Sequence, residues 1–140
     1  MLLTRLAKVL KLPVNWSRLV SLVALSLFFI NVGIDHFLRP NFYLNIMPAY
    51  LPLHSEAVYI SGFFEVLGGI AILVPKLRST AGWGLVLLSI TVFPANIHMA
   101  INPELFPEIP VAFLYVRLLL QPVIIYWAYS ATRPLSFRDG

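Results

Sequence analysis

Four apolar stretches, each about 20 residues long, limit the fold of this chain more than any other feature. They cover residues 19–37, 57–74, 81–101 and 111–131. An α-helix needs about 20 apolar residues to cross the roughly 30 Å of hydrocarbon in a bilayer. Backbone groups in lipid must form their hydrogen bonds within their own segment, which favours helices. The pattern therefore predicts an all-α fold, a four-helix transmembrane bundle in a single domain covering 1–140.

The composition indicates that lipid, and not water, is the solvent for this chain. Hydrophobic residues make up 59% of the 140 residues and charged residues only 11%, whereas soluble domains have about 25% charged residues. A domain this small has too much surface for its volume to bury so many apolar side chains in water. The chain has no cysteine, which excludes disulfides, thiol catalysis and thiolate metal sites. The lipid bilayer is the predicted partner, and no nucleic-acid partner is predicted.

The placement of basic residues predicts the orientation of the bundle. They precede the first apolar stretch, lie in the second connection and follow the fourth stretch: Arg5, Lys8, Lys11, Arg18, Lys76, Arg78, Arg133 and Arg138. The opposite connections hold one arginine, Arg39, beside three glutamates. Loops rich in lysine and arginine stay in the cytoplasm. We therefore expect both termini to be cytoplasmic and the protein to lie in a bacterial plasma membrane.

The N-terminal segment, residues 1–16, predicts a short amphipathic helix in the membrane interface. Leucines fall on one helical face of this segment, and Arg5, Lys8 and Lys11 fall on the other. A cleaved signal peptide is disfavoured, because the apolar run that follows is too long and no small-residue cleavage site follows it.

Few charged, imidazole or amide side chains interrupt the apolar stretches, and their positions predict a site. A charge at the centre of a membrane helix costs about 2.5–3.5 kcal/mol, so each needs a reason. A rise of about 1.5 Å per residue places most of these groups in the outer leaflet. Asp35 and His36 are the candidate catalytic pair. The candidate ligand-binding residues are Asn31, Glu65, Asn96, His98, Arg117 and Gln121.

The glycines around Glu65 predict that this carboxyl points into the bundle. Gly62, Glu65 and Gly69 share one helical face, and small residues let helices approach closely. Arg117 is the predicted ion-pair partner of Glu65. The pair forms either the charged floor of a ligand pocket or a structural contact that fixes the helix register.

Several roles for the histidines and amides stay open. Asp35 and His36 either handle protons at a ligand or form hydrogen bonds with loop backbone. His36 and His98 are expected at matching depths on two helices, where they could ligate haem or, with Asp35, a metal ion. Haem is disfavoured, and no metal is predicted. Asn96 follows Pro94 closely, so satisfying the backbone that the proline disrupts is its structural alternative.

Three motifs in combination resemble the DoxX-like family of small four-helix membrane proteins. They are GIDHFLRPNFYLNIMPAYLP, SGFFEVLGGIAILVP and VFPANIHMAINP, and the resemblance covers residues 31–121. It implies the four-helix fold. The family includes a subunit associated with thiosulfate:quinone oxidoreduction, other members of membrane redox complexes, and related proteins that look like assembly chaperones for membrane receptors.

The leading expectation is a membrane component of a redox system that engages a quinone or another small apolar molecule; the sequence leaves the cofactor open, with a quinone as one candidate. His36 would exchange the proton, Asp35 would orient His36, and Arg117 would stabilise negative charge on the bound oxygen. Two alternatives stay open: a non-catalytic escort of another membrane protein, and a carrier of protons or small solutes. A redox or membrane subunit and a second copy of the chain are the expected protein partners. The sequence does not decide whether the protein is an enzyme.

Overall fold

The computed structural model describes residues 1–2, 5 and 16–134, and these residues contain five α-helices and no strand. The helices are α1 (Trp16–Leu38), α2 (Pro40–Ile46), α3 (His54–Ala71), α4 (Arg78–Ile101) and α5 (Val111–Thr132), with a 3-10 turn at Pro103–Leu105. The predicted all-α class is confirmed. The predicted interfacial helix in 1–16 lies almost wholly outside the described residues.

Three of the described helices, α1, α4 and α5, are long and apolar enough to cross a membrane. This finding indicates a membrane protein. The predicted count of four such helices is not matched, because α3 differs in composition. It begins at the polar residues His54, Ser55 and Glu56 and carries Glu65 near its middle. It also begins and ends earlier than the predicted span, 57–74.

Proline and backbone geometry set the ends of the helices around α2. Pro40 is the first residue of α2, a position where the missing amide hydrogen and the fixed φ of proline are tolerated. This short helix was not predicted from the sequence. Leu53, with a φ of 55° in the left-handed region, precedes α3 and redirects the chain into it.

The long helices form two antiparallel pairs joined along one side. α1 packs along α3, α4 packs along α5, and α3 also contacts α4. α1 touches α5 through few residues, which leaves a cleft between these two helices. The short helix α2 contacts α1, α3 and α4 and covers one end of the cleft.

Two clusters of buried apolar side chains lie at opposite ends of the bundle. The larger one, at the end where α1 begins, contains Leu22, Leu25, Phe29, Ile72, Leu85, Val86, Ala128 and Ala131. The smaller one, under α2 and the 3-10 turn, contains Ile46, Met99, Phe106 and Leu114. The space between the clusters is where polar side chains meet.

The crossing of α1 and α3 brings two backbones into contact. A Cβ atom placed on Gly33 would lie 2.6 Å from the carbonyl oxygen of Gly62, and one on Gly62 would lie 2.7 Å from Cβ of His36. Nearby, Ser26 Oγ donates a hydrogen bond of 2.6 Å to the carbonyl of Gly69. This close crossing places His36 of α1 directly beside α3.

Candidate functional site

A cavity of about 1030 Å³ lies between α1 and α5 and is covered by α2. Most of its wall is apolar, with contributions from Phe28, Val32, Phe42, Ile46, Phe113, Leu120 and Ile124. Ligand sites in proteins are usually concave, largely apolar and about 300–1,000 Å³ in volume, with a few placed polar groups. The polar side chains of this cavity fall into two groups on opposite walls, one on α1 and α3 and one on α4 and α5.

The first wall is built around His36 and Glu65, which are 6% and 5% exposed. His36 Nδ1 lies 2.8 Å from the carbonyl oxygen of Val32 and 3.2 Å from Glu65 Oε2. Because a carbonyl can only accept, Nδ1 carries the proton and donates it to Val32. The neutral ring therefore has Nε2 as its free nitrogen.

Glu65 Oε2 has no hydrogen-bond partner among the described residues, although it is fully buried. Glu65 Oε2 lies 3.2 Å from His36 Nδ1, which is close enough for an ion pair. The Nδ1 proton, however, points to the carbonyl of Val32. We therefore describe this approach as a close contact and not as a hydrogen bond. A buried polar atom without a partner is rare in native proteins and calls for an explanation.

Among the described residues, Asp35 forms no hydrogen bond with His36 and is linked to its ring through Tyr43. Its carboxylate accepts hydrogen bonds of 2.8 and 2.5 Å from Arg39 and one of 2.6 Å from the Tyr43 hydroxyl. The Tyr43 ring stacks on the His36 ring, with centroids 3.8 Å apart and an angle of 16°. The predicted role of Asp35 in orienting His36 is therefore indirect, because Asp35 holds the tyrosine that covers the imidazole.

The electrostatics at α2 fix Tyr43 as a hydrogen-bond donor. Burial and the hydrogen bond to the Asp35 carboxylate raise the pKa of Tyr43, so its hydroxyl stays protonated at neutral pH. The same carboxylate raises the pKa of Arg39. These charges keep the tyrosine ring over His36 at the covered end of the cavity.

The second wall is a chain of side-chain amides between α4 and α5. Gln121 Nε2 donates to the carbonyl of Ser89 at 2.8 Å, and Asn96 Nδ2 donates to Gln121 Oε1 at 3.1 Å. Gln121 and Asn96 are both buried. The structural alternative for Asn96, satisfying the backbone that Pro94 disrupts, is not seen among the described residues: its amide donates to Gln121, and Gln121 bonds the carbonyl of Ser89, five residues before Pro94.

The predicted ion pair between Glu65 and Arg117 is not formed. The basic partner within ion-pair distance of Glu65 is His36, because α3 packs against α1. Arg117 lies across the cavity on α5, where it donates a long hydrogen bond of 3.4 Å to Asn96 Oδ1. Its guanidinium also lies 5.7 Å from the centre of the Phe42 ring. Both Glu65 and Arg117 line the same cavity.

Two further predicted residues differ in their relation to the cavity. Asn31 lines it, but its exposed side chain donates to the carbonyl of Leu27 in its own helix. His98 does not line it; its ring lies 3.2 Å from the amide of Asn102, and it does not meet His36. Among the described residues, no group of three histidine, aspartate or glutamate side chains is placed to hold a metal ion.

One family of proteins matches this chain, the family described as Domain of unknown function (DUF8561), over residues 25–132. The chain belongs to this family. The DUF8561 match includes every residue that lines the cavity, from Phe28 to Ile124. No curated protein and no solved structure matches the chain. The likeness to DoxX-like proteins stays a prediction.

Arg39 and Tyr43 are the site residues of this DUF8561 protein that the sequence reasoning missed. Arg39 follows Asp35 by four residues, and Tyr43 follows Arg39 by four, the spacing of neighbours on a helical face. Pro40 concealed this spacing, because it was interpreted as part of a connecting loop. Recognising a second helix that begins at Pro40 would have placed all three side chains together.

Replacing Asp35 with asparagine is expected to loosen α2 in this DUF8561 protein. Asparagine removes the charge that binds Arg39 and Tyr43, and such charge-assisted hydrogen bonds are the stronger kind. Hydrogen exchange of the amides in Pro40–Ile46 should become roughly fivefold to tenfold faster. Glu56→Gln is the control, since Glu56 is exposed and lies outside the cavity. Equal exchange rates in both variants would contradict this interpretation.

Proposed function

We propose that this protein binds a quinone, or another small apolar molecule with a hydrogen-bonding head group, inside the membrane as a component of a redox system. The observation that carries the proposal is the position of Glu65 on the wall of a largely apolar cavity: this carboxyl is buried, and one of its oxygens has no hydrogen-bond partner in the described part of the chain. Leaving such an atom without a partner costs about 1–3 kcal/mol, a cost that a ligand hydrogen bond removes on binding.

The polar groups around the cavity suit the head group of a quinone. A carboxyl group donates to a quinone carbonyl when it is protonated and accepts from a quinol hydroxyl when it is ionised. Among the described residues, Arg117 makes one long hydrogen bond, to Asn96, so its guanidinium has further donors for a second ligand oxygen. We propose His36 Nε2 as the atom that exchanges a proton with the ligand, because Nδ1 is held by the carbonyl of Val32.

The cleft between α1 and α5 supports entry of the ligand from the bilayer. Phe113 and Leu120 of α5 line the cavity and are still 51% and 48% exposed, so the apolar wall continues to the lipid-facing surface. An isoprenoid or alkyl tail can lie along this surface while the ring sits near Glu65. Residues of α1 and α5 make few contacts that entry would have to break.

We propose α3 as a fourth membrane span, in a bundle with both termini in the cytoplasm. The face of α3 opposite Glu65 presents large exposed apolar side chains, Phe63, Phe64, Leu67 and Ile70. Such a face is expected to contact lipid. Glu65 on the inner face lowers the mean hydropathy of the helix without being exposed to lipid. The proposed orientation of the bundle is supported by the basic residues at the end where α1 begins, because segments rich in lysine and arginine stay in the cytoplasm.

The test is binding of a short-tailed quinone analogue to the purified full-length protein in nanodiscs. Saturating analogue should raise the melting temperature of the wild-type protein by roughly 5 °C. Glu65→Gln keeps the shape of the side chain but cannot lose or gain a proton, and it should weaken binding about tenfold. Glu56→Gln, on the exposed face of the same helix, is the control and should bind as the wild type does.

The same experiment separates the alternatives. An unchanged melting temperature with every analogue would rule out the quinone proposal. A membrane protein that then co-purifies at a fixed ratio would support the escort function. Binding that is equal in the wild type and Glu65→Gln would place the quinone somewhere other than this cavity.

A further inference from the structure

Three arginines converge at the end of the bundle opposite α2. Arg18 lies in the first turn of α1, Arg78 begins α4, and Arg133 directly follows α5. The Arg18 guanidinium donates to the carbonyl oxygen of Arg133, and the Arg133 guanidinium donates to the carbonyl of Ser79 at 2.9 Å. We refer to Arg18, Arg78 and Arg133 as the arginine cluster.

The arginine cluster is hydrogen-bonded to backbone carbonyls and is partly buried. Arg78 is 8% exposed and donates to the carbonyl of Ile72 at 2.8 Å, at the end of α3. Arg18 Nε is buried and has no hydrogen-bond partner among the described residues. Arg18 and Arg78 are also close enough for their positive charges to repel each other. A donor without an acceptor, beside the like charge of Arg78, is the arrangement that a bound anion would relieve.

No acidic side chain of the described part of the chain pairs with this cluster. The acidic residues of the described part lie along the cavity or at the other end of the bundle: Asp35, Glu56, Glu65, Glu104 and Glu108. Among the described residues, Asp35 is paired with Arg39, and the basic side chain nearest to Glu65 is His36. The cluster therefore presents positive charge that the described side chains do not neutralise.

Aromatic residues place the cluster at the depth of lipid head groups. The Arg133 guanidinium lies 4.7 Å from the centre of the Trp83 ring and 5.2 Å from that of Tyr129. Both rings are exposed on the sides of helices that can cross a membrane. Tryptophan and tyrosine prefer the boundary between hydrocarbon and water. An anion bound here would thus lie where lipid phosphates lie.

From this geometry we infer that the arginine cluster binds the phosphate of an acidic phospholipid. Guanidinium groups match phosphate oxygens with two parallel hydrogen bonds, and an acidic lipid adds the negative charge that the described side chains do not supply. Basic pockets between membrane helices are known to bind acidic lipid head groups. This inference is independent of the quinone proposal, because the cluster and the cavity lie at different ends of the bundle.

The test measures binding of phosphatidylglycerol and phosphatidylcholine to the full-length protein in detergent by native mass spectrometry. The wild type should retain phosphatidylglycerol in preference to phosphatidylcholine. Arg18→Gln should weaken phosphatidylglycerol binding about fivefold or more, since each basic residue near anionic lipid contributes a factor of this size. Lys76→Gln is the matched control: it removes one positive charge at the same end from an exposed lysine outside the cluster, and it should weaken binding clearly less than Arg18→Gln does.

Two further measurements distinguish a lipid phosphate from free phosphate and exclude misfolding of the variant. Arg18→Lys keeps the charge and should retain most of the preference, which a variant that failed to fold would not. Inorganic phosphate at millimolar concentration should leave the lipid bound; displacement would assign the site to free phosphate and overturn the lipid assignment. Equal retention of both lipids by the wild type, or equal losses in Arg18→Gln and Lys76→Gln, would also overturn it.

Discussion

Replacing Glu65 with leucine is expected to raise the free energy of unfolding by about 1–3 kcal/mol while abolishing ligand binding. The carboxyl is 5% exposed, and one of its oxygens has no hydrogen-bond partner among the described residues. An apolar side chain of similar volume removes the cost of desolvating that oxygen and keeps the packing around it. A variant that gains stability and loses function is the signature of a polar group retained for binding.

Two measurements on Glu65→Leu are needed, because stability and binding are predicted to change in opposite directions. Unfolding in mixed micelles gives the free energy, and quinone-analogue binding in nanodiscs gives the function. Glu56→Leu, at an exposed position of the same helix, should change neither by a comparable amount. A loss of stability in Glu65→Leu would show that the contact with His36 stabilises the fold. Glu65 would then be a structural residue that fixes the register of α1 and α3, and not a ligand-binding residue.

The orientation of Glu65 could be predicted from the sequence because it follows from local spacing. Gly62 and Gly69 lie on the face of α3 that packs against α1, and Glu65 between them is buried. A helix has a fixed period, so residues that share a face can be identified without knowing the neighbouring helix. The same reasoning identified the apolar stretches that form α1, α4 and α5.

The partner of Glu65 could not be predicted in this way, because it depends on which helices are neighbours. Arg117 has the right charge and a suitable depth, but α3 lies against α1 and not against α5. His36 therefore occupies the position next to the carboxyl, and Arg117 turns to Asn96. The order of helices around a bundle is a property of tertiary packing, on which the sequence spacing within one helix carries no information.

Replacing Gly33 with alanine is expected to destabilise the protein by about 1–3 kcal/mol, although it adds only one methyl group. That methyl carbon would lie 2.6 Å from the carbonyl oxygen of Gly62 and 2.9 Å from the backbone nitrogen of Val66. Backbone atoms cannot move aside as a side chain can, so α1 and α3 must separate. Separation would also move His36 away from Glu65, and ligand binding should fall with the free energy of unfolding.

Gly84→Ala is the matched control for Gly33→Ala, because no atom lies within 4 Å of the position that its Cβ would occupy. Both substitutions remove a glycine from the interior of a long helix, and both reduce the freedom of the unfolded chain. Alone, that reduction stabilises a protein by about 0.4–1 kcal/mol, which is the result expected at Gly84. Chemical unfolding in mixed micelles should therefore give changes of opposite sign at the two positions. Equal changes would mean that α1 and α3 do not cross with their backbones in contact, and the geometry that holds His36 beside Glu65 would lose its basis.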